Sequence, residues 1–255
     1  MTKRNILMGI ASVIFAVYEA VLFYLIHVRD AEPGNLLRYS CIIAAAIFAW
    51  VTLLIEIVCT KLDGEPISKV LFSLTDGNLL RIAMLFTLAA DYFLVAMEKA
   101  DNNTGVAVFL GTQLFIFLHI IVNDRSKSSR IINSVLRLVL SILLVIAAIV
   151  ILGEDADSLA ITSVIYYANL CISAIFAHRI GKGGIMLTIG LILFALCDVN
   201  VALSGIENVY GGFPEGSLLY NLVNGDVDLI WLFYIPSQAL IPMTLIFSKN
   251  EKRDA

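Results

Sequence analysis

LFTLAADYFLVAM (residues 85–97) and LFALCDVNVALSG (residues 193–205) each carry one aspartate, Asp91 and Asp198, inside an otherwise apolar run. Such runs decide the fold, because a chain that crosses a bilayer needs about 20 consecutive apolar residues per helix. The aspartates are the exception to be explained. A carboxylate at the centre of a membrane helix costs about 2.5–3.5 kcal/mol or more, and such groups face a cavity, a partner or a substrate.

The whole chain has this character. Of its 255 residues 60% are hydrophobic and 15% charged, with a mean hydropathy of +0.91. A soluble domain carries about 25% charged residues. The formal charge of −4 and the lack of any basic patch argue against a nucleic-acid partner. Eight spans are expected, over 6–27, 36–59, 79–98, 103–122, 131–152, 159–178, 184–205 and 229–248. Backbone inside lipid must satisfy its own hydrogen bonds, so these are helices. The expected fold is an all-α, polytopic bundle of eight transmembrane helices forming a single transmembrane domain over residues 1–255. The first run follows Lys3 and Arg4 as a signal peptide would, but it is too long and lacks a small-residue cleavage site, so it reads as a retained helix.

Basic residues set the orientation. Lys3, Arg4, Lys61, Lys69, Arg81, Arg125, Lys127, Arg130, Arg179, Lys182, Lys249, Lys252 and Arg253 fall on one side, and Arg137 starts the fifth span there; the other side has Arg29, Arg38 and Lys99. This bias places both termini in the cytoplasm. The opposite loops are acidic, with Glu154, Asp155 and Asp157 in one and Glu207, Glu215, Asp226 and Asp228 in another. Two connections are long: 60–78, with Gly64, Pro66 and an Asp76-Gly77 turn, and 206–228, with Gly211-Gly212 and Pro214. Loops of this length serve as lids or binding segments, or simply connect.

Cys41, Cys59, Cys171 and Cys197 lie within apolar runs and read as packing thiols. His27, His119 and His178 have no second ligand nearby, so neither a metal site nor any other cofactor is expected. The two aspartate runs are similar, and each is followed by a span holding a glutamine, Gln113 or Gln238. A parallel repeat of four helices plus four, about 1–125 and 126–255, would explain this. Both aspartates fall about seven residues from the outer end of their span, roughly 10 Å deep at 1.5 Å per residue. Glu19, Tyr166, Tyr167 and Tyr234 are expected in the same layer, lining one polar chamber. Glu56 and His119 lie toward the cytoplasmic side, where Glu56 is expected to snorkel to water. Pro236 and Pro242 interrupt the last span beside Gln238 and are expected to bend it.

These residues resemble the YhhN family of integral membrane proteins, whose characterised members are lysoplasmalogenases. The family's Gly-Asp in a middle helix is matched by Ala90-Asp91, and its following helix by GTQLFIFLH, Gly111 to His119. Its later Ser-Asp in a Phe-rich helix is matched by LFALCD, Leu193 to Asp198, and its final Tyr and Ala-Gln by Tyr234 and Ser237-Gln238. Ala90 and Cys197 depart from the pattern, as does the absence of a tyrosine after His119. The resemblance covers the third to eighth spans. It implies cleavage of the vinyl ether of a lysophospholipid to a fatty aldehyde and a glycerophospho-headgroup.

A vinyl ether resists base and yields to acid. Protonating its β-carbon gives an oxocarbenium ion, to which water adds before the hemiacetal collapses. One carboxylic acid and one carboxylate suit this sequence, as in paired-carboxylate glycoside hydrolysis. Burial and a neighbouring carboxylate both favour keeping one proton on such a pair. Asp91 and Asp198 are the expected catalytic pair; Glu19, Gln113, His119, Tyr166, Tyr234 and Gln238 would bind or orient, with a structural role weighing more for His119. Two other readings use the same acids: a buried structural network, and a proton-coupled transporter of a small solute or lipid. The expected partners are the lipid bilayer and a lysophospholipid substrate. A bacterial inner membrane, or an internal eukaryotic one, fits the charge bias. On the expected orientation, Asp155→Cys or Asp226→Cys reacts with an impermeant maleimide on intact cells, whereas Ser128→Cys or Lys182→Cys reacts only after permeabilisation; labelling in the reverse order would invert the topology.

Overall fold

The computed structural model describes residues 2–27, 34–73, 77–210 and 212–247, with backbone only at 208–210. Arg29, Asp76, Gly211, Lys249, Lys252 and Arg253, which entered the charge and loop readings, lie outside the described residues. The helices are α1 (Lys3–His27), α2 (Asn35–Leu62), α3 (Ser68–Leu71), α4 (Leu79–Asp91), α5 (Asn102–Asn123), α6 (Lys127–Leu152), α7 (Ser158–Phe176), α8 (Gly184–Tyr210), α9 (Leu218–Asn224) and α10 (Leu229–Met243). No strand occurs among the described residues. Eight of these segments are long and apolar enough to cross a membrane, so the chain is an all-α polytopic bundle. The short α3 and α9 occupy the two long connections.

Polar residues start the helices. The side chains of Asp101, Ser126, Asp157, Ser217 and Asp228 accept the backbone N–H three residues on, opening α5, α6, α7, α9 and α10. Each such cap contributes about 1 kcal/mol. Outside the spans, both the hydroxyl and the amide of Thr104 donate to Asp101 and hold its carboxyl below the usual carboxylate range.

Six helices close a ring: α2 packs on α4, α4 on α5, α5 on α7, α7 on α8, α8 on α10, and α10 back on α2. The other two spans sit outside it, α1 against α2 and α10, and α6 against α7. Glycines set the closest approaches. A side chain at Gly111 of α5 would strike Phe86 of α4, and one at Gly190 of α8 would strike Ile241 of α10. Small residues at such contacts let membrane helices pack by van der Waals attraction, since lipid supplies no hydrophobic drive between them. Helix α6 is apolar toward the outside, with Leu138, Ile142, Ile146 and Val150 exposed, and buries Ser129, Asn133 and Arg137.

Several boundaries differ from the sequence expectation by a few residues, and two of the differences bear on the aspartates. α8 runs on to Tyr210, so Asp198 lies deeper within its helix than seven residues. The third span is α-helical only to Asp91 and continues as a π-helix, Tyr92–Ala96. Both prolines of α10 lie inside a continuous helix, and Pro242 is buried.

Glu56 does not snorkel. It is fully buried and pairs with Arg81 at 3.3 Å and Arg4 at 3.4 Å. Arg81, counted from sequence among the flanking charges, is 1% exposed; it also donates to the Ala49 carbonyl, Asn78 Oδ1 and Thr52 Oγ1. The reason is rotational: Glu56 is on the face of α2 that meets α4, so its shortest route leads to Arg81 rather than to water. Removing one partner of such a pair leaves an uncompensated buried charge, at a cost of about 3–5 kcal/mol. Glu56→Gln should therefore lower the thermal unfolding temperature in detergent strongly, and adding Arg81→Met should recover part of the loss. A Glu56→Gln protein as stable as the parent would refute this account of the pair.

Candidate active site

Both aspartates are held by tyrosines from other helices. The Tyr234 hydroxyl of α10 donates to Asp91 Oδ2 of α4, and the Tyr166 hydroxyl of α7 donates to Asp198 Oδ2 of α8 at 2.6 Å. Asp91 is 4% exposed, Tyr166 6% and Tyr234 5%, while Asp198 is partly buried. A carboxylate inside apolar surroundings needs such a donor, and O–H to carboxylate bonds are among the strong ones.

An aromatic chain joins the two pairs. Tyr166 packs on Phe109 of α5 at 5.5 Å between ring centroids, Phe109 on Phe194 of α8 at 5.6 Å, and Phe194 on Tyr234 at 5.6 Å. Trp231, one turn before Tyr234, closes the row edge-on at 5.4 Å. These spacings lie in the favoured range for aromatic pairs. Four ring helices thus present their aromatic residues to one region, and Asp91 and Asp198 lie within electrostatic reach of each other there. Cys41 of α2 and Cys197 of α8 are buried, unbridged and within electrostatic reach of Asp91. The π-helix starts directly after Asp91, and Met97 N–H bonds back to the Tyr92 carbonyl at 3.0 Å to close its last turn. Such widened turns occur often at functional sites. Tyr39 of α2 steadies the segment by donating to the Leu88 carbonyl at 3.0 Å.

The other residues singled out from sequence divide into two groups. Glu19 belongs with the chamber: it is buried, and Cys41 lies within electrostatic reach of both Glu19 and Asp91. Tyr167 is half-buried and bonds Cys171 rather than either aspartate. Gln113 is buried and accepts from Ser173 at 3.4 Å, joining it to Arg137. The Arg137 guanidinium donates to Asn133, Asn169 and Ser173 and lies 4.5 Å over the Phe117 ring. Gln238 is buried and donates to Ser237 at 3.4 Å. His119 is buried near the far end of α5 beside Asn123 and within reach of Arg81, so it falls with the Glu56 pair and away from the aspartates.

Sequence reasoning passed over Cys41, Trp231, Phe109 and Phe194 as members of this site. Helical spacing offered one usable signal: Phe194 is four residues before Asp198, and Phe109 four before Gln113, so each shares a face with a residue already selected. Among the described residues, no three His, Cys, Asp or Glu side chains converge to hold a metal ion. No family model, curated protein or solved structure matches this chain.

Removing a donor from a buried carboxyl costs about 1–3 kcal/mol. Tyr234→Phe and Tyr166→Phe are each expected to lower stability by that amount in equilibrium unfolding. Both proteins should keep parental helix content by circular dichroism; an unchanged unfolding midpoint in both would show that the hydroxyls do not support the carboxyls.

Proposed function

We propose that this protein is a membrane-embedded hydrolase of the vinyl-ether bond of lysoplasmalogens, and that Asp91 and Asp198 are its acid and base pair. The observation that carries the reading is the meeting of two tyrosine-bonded aspartates, from different helices, beside one row of packed aromatic rings inside an apolar bundle. The resemblance to the YhhN family supplies the substrate class.

In this reading one aspartic acid delivers its proton to the β-carbon of the vinyl ether, and the π electrons form the new C–H bond. The resulting oxocarbenium ion is stabilised by the second carboxylate and by the faces of Phe109, Phe194 and Trp231. The carboxylate then takes a proton from water as its oxygen bonds to the cationic carbon. As the hemiacetal collapses, the first aspartate takes its hydroxyl proton and the second gives a proton to the departing glycerol oxygen, which releases aldehyde and restores both groups. Tyr166 and Tyr234 keep the two carboxyls oriented throughout.

We further propose the parallel four-plus-four repeat. Exchanging α1, α2, α4 and α5 for α6, α7, α8 and α10 reproduces the ring order and carries the α1–α2 contact onto α6–α7, while the α1–α10 contact has no counterpart of similar extent. The exchange sends Asp91 to Asp198 and Gln113 to Gln238. The basic end of the bundle faces the cytoplasm in this proposal, in a bacterial inner membrane or an internal eukaryotic one.

The test is product release. Purified protein in detergent is incubated with a lysoplasmalogen and with the matching acyl lysolipid, and aldehyde and fatty acid are followed. Aldehyde should appear from the vinyl ether alone. Positioned proton transfer is worth about 100- to 10,000-fold, so Asp91→Asn and Asp198→Asn should each lose at least about a hundredfold in turnover while remaining folded. No aldehyde from folded parent protein would sink the hydrolase reading. Proton-driven flux of a solute in liposomes would then favour the transporter.

A further inference from the structure

The chamber holds a third carboxyl that the two-aspartate chemistry leaves unused. Glu19 is 3% exposed, and neither of its carboxyl oxygens has a hydrogen-bond partner among the described residues. Its helix is fixed in register. The Tyr18 hydroxyl donates to Ser40 of α2 at 2.8 Å, Phe15 stacks on Phe48 of α2 at 4.5 Å, and His27 meets the Asp228 carbonyl before α10 at 3.4 Å. Glu19 therefore stays directed toward α2 and α10, the helices that α1 packs against.

None of the ion pairs formed by the described residues involves Glu19. Cys41 on α2 lies within electrostatic reach of both Glu19 and Asp91, and Asp91 bonds Tyr234 on α10. An unpaired charge there would cost several kcal/mol, so the group is carried uncharged. An uncharged carboxylic acid offers one O–H donor and one carbonyl acceptor side by side. The chemical group that answers both is an alcohol, which accepts and donates through one oxygen. A lysolipid has such a hydroxyl on the glycerol carbon next to its ether-bearing carbon; a two-chain lipid does not. The group that reads the hydroxyl must therefore sit near the group that attacks the ether, and Glu19 and Asp91 are both within electrostatic reach of Cys41.

We infer that Glu19 selects lysolipids over two-chain lipids by exchanging a pair of hydrogen bonds with the free glycerol hydroxyl. This rests on the reading of the chamber as a lysolipid site. A site built to pair a hydroxyl rejects the ligand that lacks it, because its own buried polar atoms are then left unmatched.

The probes are a saturated alkyl-ether lysolipid, which has no vinyl group to protonate, and its analogue with the glycerol hydroxyl methylated. Binding of each is measured to the full chain in nanodiscs. The parent should bind the hydroxyl probe at least about tenfold more tightly, as one net hydrogen bond provides. Glu19→Gln, which keeps a donor and an acceptor, should preserve most of that ratio, and Glu19→Met should bring it near one. Equal binding by the parent, or an unchanged ratio in Glu19→Met, overturns the inference.

A second readout needs no variant. A lipid-soluble carbodiimide adds to an uncharged buried acid: the acid's proton goes to one nitrogen and its oxygen bonds the central carbon. The adduct then rearranges by oxygen-to-nitrogen acyl shift to a stable N-acylurea, with nothing lost. Peptide mass spectrometry should find this adduct on Glu19, formed more slowly with the hydroxyl probe present and unaffected by the methylated one. An unlabelled Glu19, or equal protection by both probes, counts against the inference. Hydroxyl selection without aldehyde release would sink the hydrolase reading alone; aldehyde release without hydroxyl selection would sink only the role of Glu19.

Discussion

The hydroxyl of Tyr234 on Asp91, and that of Tyr166 on Asp198, are the contacts on which the interior depends. Hydrocarbon offers a carboxyl nothing to bond, and Asp91 and Asp198 each find a donor on another helix. This pairing ties α4 to α10 across the ring and α7 to α8 along it, by bonds more directional than apolar packing. The aromatic row from Tyr166 to Trp231 then fixes the tyrosine rings themselves, so the orientation of the carboxyls is set two layers deep.

The polar groups divide by height along the bundle. Toward the acidic end lie Glu19, Asp91, Asp198 and their tyrosines; toward the basic end lie Arg4, Glu56, Arg81 and His119. Thr87 and Thr112, 3.3 Å apart, stand between. The two groups use different physics. At the basic end opposite charges neutralise each other and the arrangement is closed. In the aromatic cluster, Asp91 and Asp198 are met by tyrosine hydroxyls, and neither is in an ion pair among the described residues.

How much of this was legible follows from dimensionality. Spanning helices are a one-dimensional property, since twenty apolar residues in a row meet the thickness of a bilayer whatever surrounds them. Asp91 and Asp198 were legible for the same reason, being polar interruptions of such runs. Which tyrosine meets which aspartate depends on helix adjacency, and a pairing such as Tyr234 with Asp91, 143 positions apart, has no local signature. Glu56 illustrates the other failure. Depth along a helix suggested water, whereas rotation about its axis led to Arg81, and only the neighbouring helix decides between them. The π-turn after Asp91 was equally hidden, because Tyr-Phe-Leu-Val-Ala is unremarkable as ordinary helix.

Helix α6 carries a consequence for how the protein is made. It is the most apolar span, yet the buried Arg137 on its inward face finds partners on later chain, Asn169 and Ser173 of α7. A nascent α6 alone in the bilayer would leave the Arg137 guanidinium facing lipid, or pull it back toward the interface. The connection to α7 spans only residues 153–157, so both helices can leave the translocation machinery as a hairpin with the arginine already clasped. The unit of insertion in this half of the chain is therefore the helix pair.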